Sequence, residues 1–274
     1  MKSLELLKIG KERLAEIPSG NKDALELLKI STGKTKVEIL LDVEIDLIDE
    51  EKYFANIEKR LNGEPMQKFF GFTDFMGLKI SFNEKTLTPR QETEILADLI
   101  IKDICKSKEQ KKVLDLCAGS GCIGLSIKKQ TNADVVLSDI SNFAISHIEE
   151  NAKNNDLNVK IKQSNMFEKI EGVFDIIVSN PPYLKTKELG NLEKEVDLFD
   201  PKLALDGGED GLMFYRIIAQ NADKFIKPNG SLYLEIHHEL GEKTKILFEK
   251  YFNEVKIIKD YSGKDRFIVC YNKR

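Results

Sequence analysis

From Lys112 to the end of the 274-residue chain, strand-like and helix-like segments alternate, and this alternation limits the possible folds more than any other feature. Apolar runs such as KKVLDLCA and VFDIIVSN are typical of buried strands, whereas segments such as SNFAISHIEENAKNN repeat apolar residues at helical spacing. The pattern predicts an α/β fold, in which a mostly parallel sheet is covered by helices on both faces. In such sheets, ligands bind at the carboxyl ends of the strands, near the point where the strand order reverses.

The first seventy residues have a different pattern of apolar and charged residues. Their apolar residues recur at helical spacing among Lys and Glu, and the breaks PSGN, STGK and NGEP have turn chemistry. The following FGFTDFMGLKISF is rich in aromatic and β-branched residues around two glycines, which indicates a β-hairpin. We therefore predict a small helical domain at 1–70, a hairpin linker at 71–87 and the α/β domain at 88–274.

Composition excludes some classes of function. With 42 basic and 46 acidic side chains, the net charge is -4, so no global positive field favours binding to nucleic acid. No long apolar run indicates a signal peptide or a membrane span, and we expect a cytoplasmic protein without membrane partners. We expect neither disulfides nor a metal site, because the four cysteines lack metal-type spacing and His237 and His238 lack a third ligand.

The segment TPRQETEIL predicts the start of a helix. Thr88 and Gln91 match a capping box, and Pro89 falls at the first helical position, where its missing N–H has no cost.

A glycine-rich loop, DLCAGSGCIGLS, follows the first strand of the predicted sheet. Gly119, Gly121 and Gly124 satisfy GxGxxG, and Asp139 ends the next strand, where a carboxylate can accept hydrogen bonds from ribose hydroxyls. From the glycine motif and Asp139 alone, an NAD-dependent oxidoreductase remains a competing hypothesis. Asp115, four residues before the first glycine, favours S-adenosylmethionine instead, because its carboxylate could organise the charged amino-acid end of that cofactor.

The strand IIVS ends on Asn180, Pro181, Pro182 and Tyr183, a pattern that resembles amino-group methyltransferases. An amide nitrogen is a poor nucleophile, so its lone pair must be held in line with the methyl group. The Asn180 side-chain oxygen and the Pro181 carbonyl can each accept one N–H of an NH2 group. The prolines stiffen the segment, and the Tyr183 ring can stack on a planar group.

Taken together, these motifs with DPKLALDGGEDGLMFYRII, LYLEIHHELG and YSGKDR resemble the HemK/PrmC family of peptide chain release factor glutamine methyltransferases nearly end to end. The resemblance implies a Rossmann-like class I S-adenosylmethionine-dependent methyltransferase domain behind a helical substrate-recognition domain. The implied product of the cofactor is S-adenosylhomocysteine, and the implied partners are class-one release factors, methylated on the glutamine of their Gly-Gly-Gln motif. No direct contact with nucleic acid is required.

The resemblance also implies roles for individual residues. The implied cofactor-binding residues are Asp115, Cys117, Ala118, Gly119, Ser120, Gly121, Asp139, Met166 and Asn180. Within this set, Asp139 would hold the ribose and Met166 would lie beside the adenine. The implied catalytic residues are Asn180, Pro181 and Tyr183, and the implied substrate-binding residues are Asn180, Pro181, Pro182, Tyr183, Arg90 and Glu92. Cys117 and Ala118 stand where the family commonly has Gly and Thr, and Met166 stands where an aromatic residue or Leu is frequent.

Two alternative substrates remain open within the enzyme class. The related ribosomal protein L3 glutamine methyltransferases usually have Ser-Pro in place of Glu92 and Thr93, which favours release factors here. Adenine or guanine amino groups of nucleic acid are the other choice, and a non-catalytic binding module is disfavoured by the intact motifs. The loop DGGEDG has two interpretations, closure over a docked substrate or a plain acidic loop before a helix.

Overall fold

The computed structural model describes residues 1–82, 85–190, 192, 196 and 200–274. Residues 83–84 of the predicted hairpin linker and residues 191, 193–195 and 197–199 of the predicted α/β domain lie outside the described residues. The described chain divides into two units. The first comprises residues 1–71 and residue 196, and the second comprises the described residues from 72 to 192 and from 200 to 274.

The first unit is helical, as predicted. Its apolar stripes pack into one core around Leu6, Leu27, Tyr53 and Ile57, all fully buried. Gly33 of the STGK turn ends the second helix in the left-handed region, with φ of 65°. The helices are α1 Ser3–Arg13, α2 Gly20–Thr32, α3 Lys36–Leu40, α4 Leu47–Leu61 and α5 Met66–Phe70.

The second unit begins with the predicted hairpin, β1 Phe72–Phe75 and β2 Leu78–Ser81. The hairpin packs its apolar residues into the core of this unit. The helices that follow are α6 Gln91–Cys105, α7 Cys122–Gln130, α8 Asn142–Asn154, α9 Met213–Phe225 and α10 Gly241–Phe248. The strands are β3 Lys112–Leu116, β4 Asp134–Asp139, β5 Lys160–Gln163, β6 Phe174–Ser179, β7 Ile226–Glu235, β8 Phe252–Lys259 and β9 Asp265–Lys273.

These seven strands form one sheet in the order β5-β4-β3-β6-β7-β9-β8. The first five in this order are parallel, and β9 runs antiparallel to both of its neighbours. Alternate residues of β3 face opposite sides: Val113 packs with α6, α7 and α8, whereas Leu114 packs with α9 and α10. The predicted α/β architecture is therefore confirmed, and the strand order reverses between β3 and β6.

The start of α6 differs from the sequence prediction. The helix begins at Gln91 and not at Pro89, its N-cap residue is Arg90, and no side chain caps it, so the predicted Thr88 capping box is wrong. Thr88 is buried and Pro89 lines a cavity, because the chain before the helix runs along the wall of the site described below. Within the described residues, no helix is long and apolar enough to cross a membrane.

Candidate active site at the carboxyl edge of the sheet

A cavity of about 440 Å³ lies at the carboxyl ends of β3, β4 and β6, where the strand order reverses. Its lining is mostly apolar, with polar groups from the loops that follow each of these strands. The predicted site residues that line it are Arg90, Cys117, Ala118, Gly119, Ser120, Asp139, Met166, Asn180 and Pro182. Asp115, Gly121, Pro181, Tyr183 and Glu92 do not contribute to the lining.

The glycine-rich loop turns sharply between β3 and α7. Cys117, Gly119 and Gly121 all have positive φ, of 57°, 58° and 81°. A left-handed conformation at a non-glycine residue such as Cys117 costs on the order of 1 kcal/mol or more and is characteristic of functional loops. Gly124 has another role, since a Cβ there would lie 2.7 Å from Leu137 Cδ2 and 2.9 Å from an Asp115 oxygen. The third glycine of the motif thus lets α7 pack closely on the sheet.

Asp139 shapes this loop as well as lining the cavity. Its Oδ2 accepts a hydrogen bond from the Gly119 N–H at 2.9 Å, and its Oδ1 accepts one from the Ser141 N–H at 2.9 Å. Burial raises the pKa of Asp139, and hydrogen bonds from backbone N–H groups oppose the shift. The carboxylate is therefore fixed at the mouth of the loop, where the sequence predicts a ribose.

Asp115 lies beneath the loop and is 1% exposed. Its Oδ2 accepts a hydrogen bond from the Gly124 N–H at 2.8 Å, whereas Oδ1 has no partner among the described residues. Burial raises the pKa of this carboxyl group to about 7, a shift that the Gly124 N–H opposes and the charge of Asp139 reinforces. A buried carboxyl oxygen without a partner is well suited to a nearby positive charge.

Sulfur atoms form another part of the wall. Cys117 Sγ lies 3.7 Å from Met166 Sδ, and the Met166 carbonyl accepts a hydrogen bond from Ser164 Oγ at 2.9 Å. Burial raises the pKa of the Cys117 thiol to about 12, so this group stays protonated and acts as a packing surface. Ser138 Oγ, buried at the end of β4, has no partner among the described residues.

The Asn-Pro-Pro-Tyr segment continues β6 to the edge of the cavity. Asn180 and Pro182 line the cavity, and no hydrogen bond to the Asn180 amide is present in the described part of the chain. The Tyr183 ring instead lies 5.9 Å from the His237 ring, centroid to centroid, and burial raises the pKa of its phenol. The stacking role of Tyr183 stays a prediction.

Only some residues of the PRQET segment line the cavity. Arg90 lines the cavity and forms an ion pair with Asp200 at 2.6 Å, whereas Glu92 is exposed in the first turn of α6. Thr93, which the sequence did not single out for the site, lines the cavity and donates a hydrogen bond to Glu235 Oε2 at 2.8 Å.

Other lining residues also escaped sequence reasoning. Phe143 and Phe214 come from the amphipathic helices α8 and α9, where an aromatic residue is indistinguishable by pattern from a core residue. Thr88 could have been identified from its place in the TPRQET motif, but its capping-box spacing led to a prediction that it caps α6.

The residues present fit S-adenosylmethionine. The cavity is large enough for a nucleoside with an amino-acid tail, and its wall combines the Asp139 carboxylate with the apolar Met166. Asp115 Oδ1, below the glycine loop, has no partner among the described residues and suits a positively charged group of a ligand. Ser138 Oγ, which also has no partner among them, can form a hydrogen bond with a polar group of a ligand.

Comparison with known proteins shows which protein family this chain resembles. Residues 5–71 match the model of the PrmC N-terminal domain, and residues 90–196 match that of the Methyltransferase small domain. A release factor glutamine methyltransferase of Agrobacterium fabrum is 37% identical over 90% of this chain and 88% of its own length. That of Clostridium botulinum is 33% identical over 98% of both chains.

Solved structures share the fold at low sequence identity. The Thermus thermophilus 16S rRNA N2 G1207 methyltransferase, solved with AdoMet and guanosine, is 18% identical with a TM-score of 0.55, covering 73% of this chain and 49% of its own. The human Mettl16 catalytic domain is 14% identical with a TM-score of 0.56, covering 72% and 76%. The Rossmann-like methyltransferase fold is thus confirmed, and by its identity to curated relatives over most of its length, this chain belongs to the family of release factor glutamine methyltransferases.

Proposed function

We propose that this protein transfers a methyl group from S-adenosylmethionine to the side-chain amide nitrogen of the glutamine in the Gly-Gly-Gln motif of class-one release factors. The observation that carries the proposal is the shared cavity: Asn180 and Pro182 line it together with Gly119 and Asp139. An amide-orienting segment and a nucleotide-type loop therefore border one space.

The chemistry assigns a separate task to each part of this wall. When bound, S-adenosylmethionine supplies an electrophilic methyl group on a sulfonium. Asp139 and the glycine loop would bind the cofactor, and Asp115 would favour its positive charge. S-adenosylhomocysteine would leave from the same cavity.

The Asn-Pro-Pro-Tyr segment orients the acceptor. The Asn180 oxygen and the Pro181 carbonyl would each accept an N–H of the glutamine amide, which aims its nitrogen and stabilises positive charge that develops there. Pro181 and Pro182 have no N–H to compete for these acceptors and hold φ near -65°. The extra proton leaves after the transfer.

The relatives' names support the choice of substrate. Free glutamine should react poorly, because affinity and orientation must come from the protein surface around the residue. The helical domain at 1–70 is the proposed recognition domain for the release factor. Because the proposed substrate is a translation factor, we also propose that the reaction takes place in the cytoplasm.

The substrate is tested by incubating this protein with labelled S-adenosylmethionine and purified release factor. A second release factor, with its Gly-Gly-Gln glutamine changed to alanine, is the control. We expect label on the first protein only. Equal label on both would exclude the proposed target.

The role of Asn180 is tested by Asn180→Ala. We expect turnover to fall by about 10²-fold or more with cofactor affinity largely unchanged, since one transition-state contact is removed. Asn158→Ala, at an exposed asparagine before β5, is the matched control and should leave turnover unchanged. A loss of cofactor affinity as large as the loss of rate would contradict the role of Asn180.

A further inference from the structure

The segment after Asp200 forms a short parallel bridge with the chain that leaves the Asn-Pro-Pro-Tyr motif. The Leu184 N–H donates to the Leu205 carbonyl at 2.9 Å, and the Leu184 carbonyl accepts from the Gly207 N–H at 2.7 Å. Leu184 is the first residue after the motif, so the bridge begins where the motif ends.

Asp206 secures this bridge with its side chain. Its Oδ1 accepts a hydrogen bond from Thr186 Oγ1 at 2.8 Å and another from the Gly208 N–H at 2.9 Å. The Thr186 N–H in turn donates to the Gly208 carbonyl at 3.0 Å. The first residues of DGGEDG are therefore tied to the chain beyond Tyr183.

Two buried glycines of the same loop lie directly against the motif. A Cβ on Gly207 would lie 2.7 Å from Tyr183 Cα and 2.9 Å from the Pro182 carbonyl oxygen. A Cβ on Gly211 would lie 2.5 Å from the Tyr183 carbonyl oxygen. Real Cβ atoms do not approach backbone this closely, so only glycine permits the contact.

The motif needs support of this kind. Pro181 and Pro182 have no N–H, so they cannot join a backbone ladder as donors. Close packing and the bonds at Leu184 remain as means of fixing the segment. The supporting segment also has a second face, since Pro201 and Ala204 line the cavity.

We propose that Gly207 and Gly211 are positioning residues, which hold the backbone of Pro182 and Tyr183 so that the Asn180 oxygen and the Pro181 carbonyl keep their aim at the acceptor amide. This inference rests on the proposed function for its kinetic consequence. The loop DGGEDG is then a fixed support behind the motif, and closure over the substrate is not its role.

The first test compares Gly207→Ala with Gly190→Ala. No atom of the described residues lies within 4 Å of a Cβ built on Gly190, and its φ is not positive, so the Gly190 variant is the matched control. We expect Gly207→Ala to lower kcat for release factor methylation by about 10²-fold, because displacements of about 1 Å have such effects. The Kd for S-adenosylmethionine and the KM for release factor should change by less than about threefold. Unchanged kcat in a folded Gly207→Ala protein would overturn the inference.

A second variant loosens the support without overpacking it. Asp206→Ala removes two hydrogen bonds and adds no atom, and we expect kcat to fall about 10-fold by the same loss of alignment. Hydrogen exchange of the Leu184 amide, measured without substrate, should accelerate at least about 10-fold in this variant. Unchanged exchange and unchanged kcat would both count against the support, even if Gly207→Ala failed to fold.

The two proposals fail in different ways. If the unaltered protein does not methylate release factor, the proposed function is wrong, and the Leu184 exchange rate still decides whether the loop supports the motif. If the unaltered protein methylates release factor and both variants match it, the proposed function stands and the positioning role is wrong.

Discussion

Glu235 is a carboxylic acid buried at the end of β7, 2% exposed, with Thr93 Oγ1 donating to its Oε2 at 2.8 Å. The parallel pairing of Ser179 with Leu234 places Glu235 one residue further on, beside the position of Asn180. Burial raises the pKa of Glu235 to about 7, and the hydrogen bond from Thr93 opposes the shift. A carboxyl group that titrates near neutral pH therefore lies next to the proposed acceptor-binding segment.

We predict that Glu235→Gln makes the protein more stable at neutral pH. The pKa is raised from its ordinary 4.5 to about 7, so folding favours the protonated form. Stability from this group is complete below pH 4.5 and is lost as the pH rises through about 7. At about 1.4 kcal/mol per pKa unit, the free energy of unfolding of the variant should exceed that of the unaltered protein by on the order of 3 kcal/mol above pH 7.

Urea denaturation at several pH values checks this prediction. The difference between the two proteins should disappear below pH 4.5, where Glu235 is protonated in both the folded and the unfolded chain. Glu242→Gln, on the exposed side of α10, is the control and should give a small, pH-independent difference. A Glu235→Gln protein that is less stable at high pH would show that the ionised carboxylate is favourable in the fold.

At the scale of elements, Asn151 of α8 joins the hairpin to the cofactor loop. Its Oδ1 accepts from the Ser81 N–H at 2.8 Å and from Ser81 Oγ at 2.7 Å. Its Nδ2 donates to the carbonyls of Ser81 and Ser120, each at 2.9 Å. One fully buried side chain of α8 thus satisfies polar groups of two other segments, the hairpin and the glycine-rich loop.

We predict that Asn151→Ala lowers the free energy of unfolding by about 2–4 kcal/mol, because it leaves buried partners unsatisfied. Cofactor affinity should fall as well, since the Ser120 carbonyl of the glycine-rich loop loses the hydrogen bond from Asn151 Nδ2. Thermal or urea denaturation and a cofactor titration measure both effects. Asn154→Ala, at an exposed position of the same helix, is the control. Equal stability of the two variants would show that the network contributes little.

The sequence predicted the elements whose signals are local. The strands are short apolar runs, and the glycine loop and proline motif are composed of residues that restrict or free the backbone, as the positive φ of Gly119 and Gly121 confirms. The contact between Asn151 and Ser81 spans 70 residues and leaves no local signal. The start of α6 was mispredicted because Thr88 lines the cavity, a tertiary role that overrides its capping propensity.

At the scale of the whole molecule, the two units have separate cores. Among the described residues, the apolar cluster of the first unit draws only on residues 6–69, and those of the second unit draw only on residues 75–271. The described residues that line the cavity all lie between Lys85 and Phe214 and belong to the second unit. Cofactor binding and recognition of a large substrate are therefore separable in principle.

We predict that a chain lacking residues 1–71 still binds S-adenosylmethionine, with Kd within about threefold of the full chain, because none of the described residues that line the cavity lies within 1–71. Methylation of release factor should fall by at least about 10-fold in kcat/KM, since remote contacts that orient a protein substrate contribute to the rate. A cofactor titration and a methylation assay on the same preparation separate the two effects. If the shortened chain methylates release factor as fast as the full chain, the helical unit does not contribute to substrate recognition. A shortened chain that loses cofactor binding would show that the cavity depends on the helical unit after all.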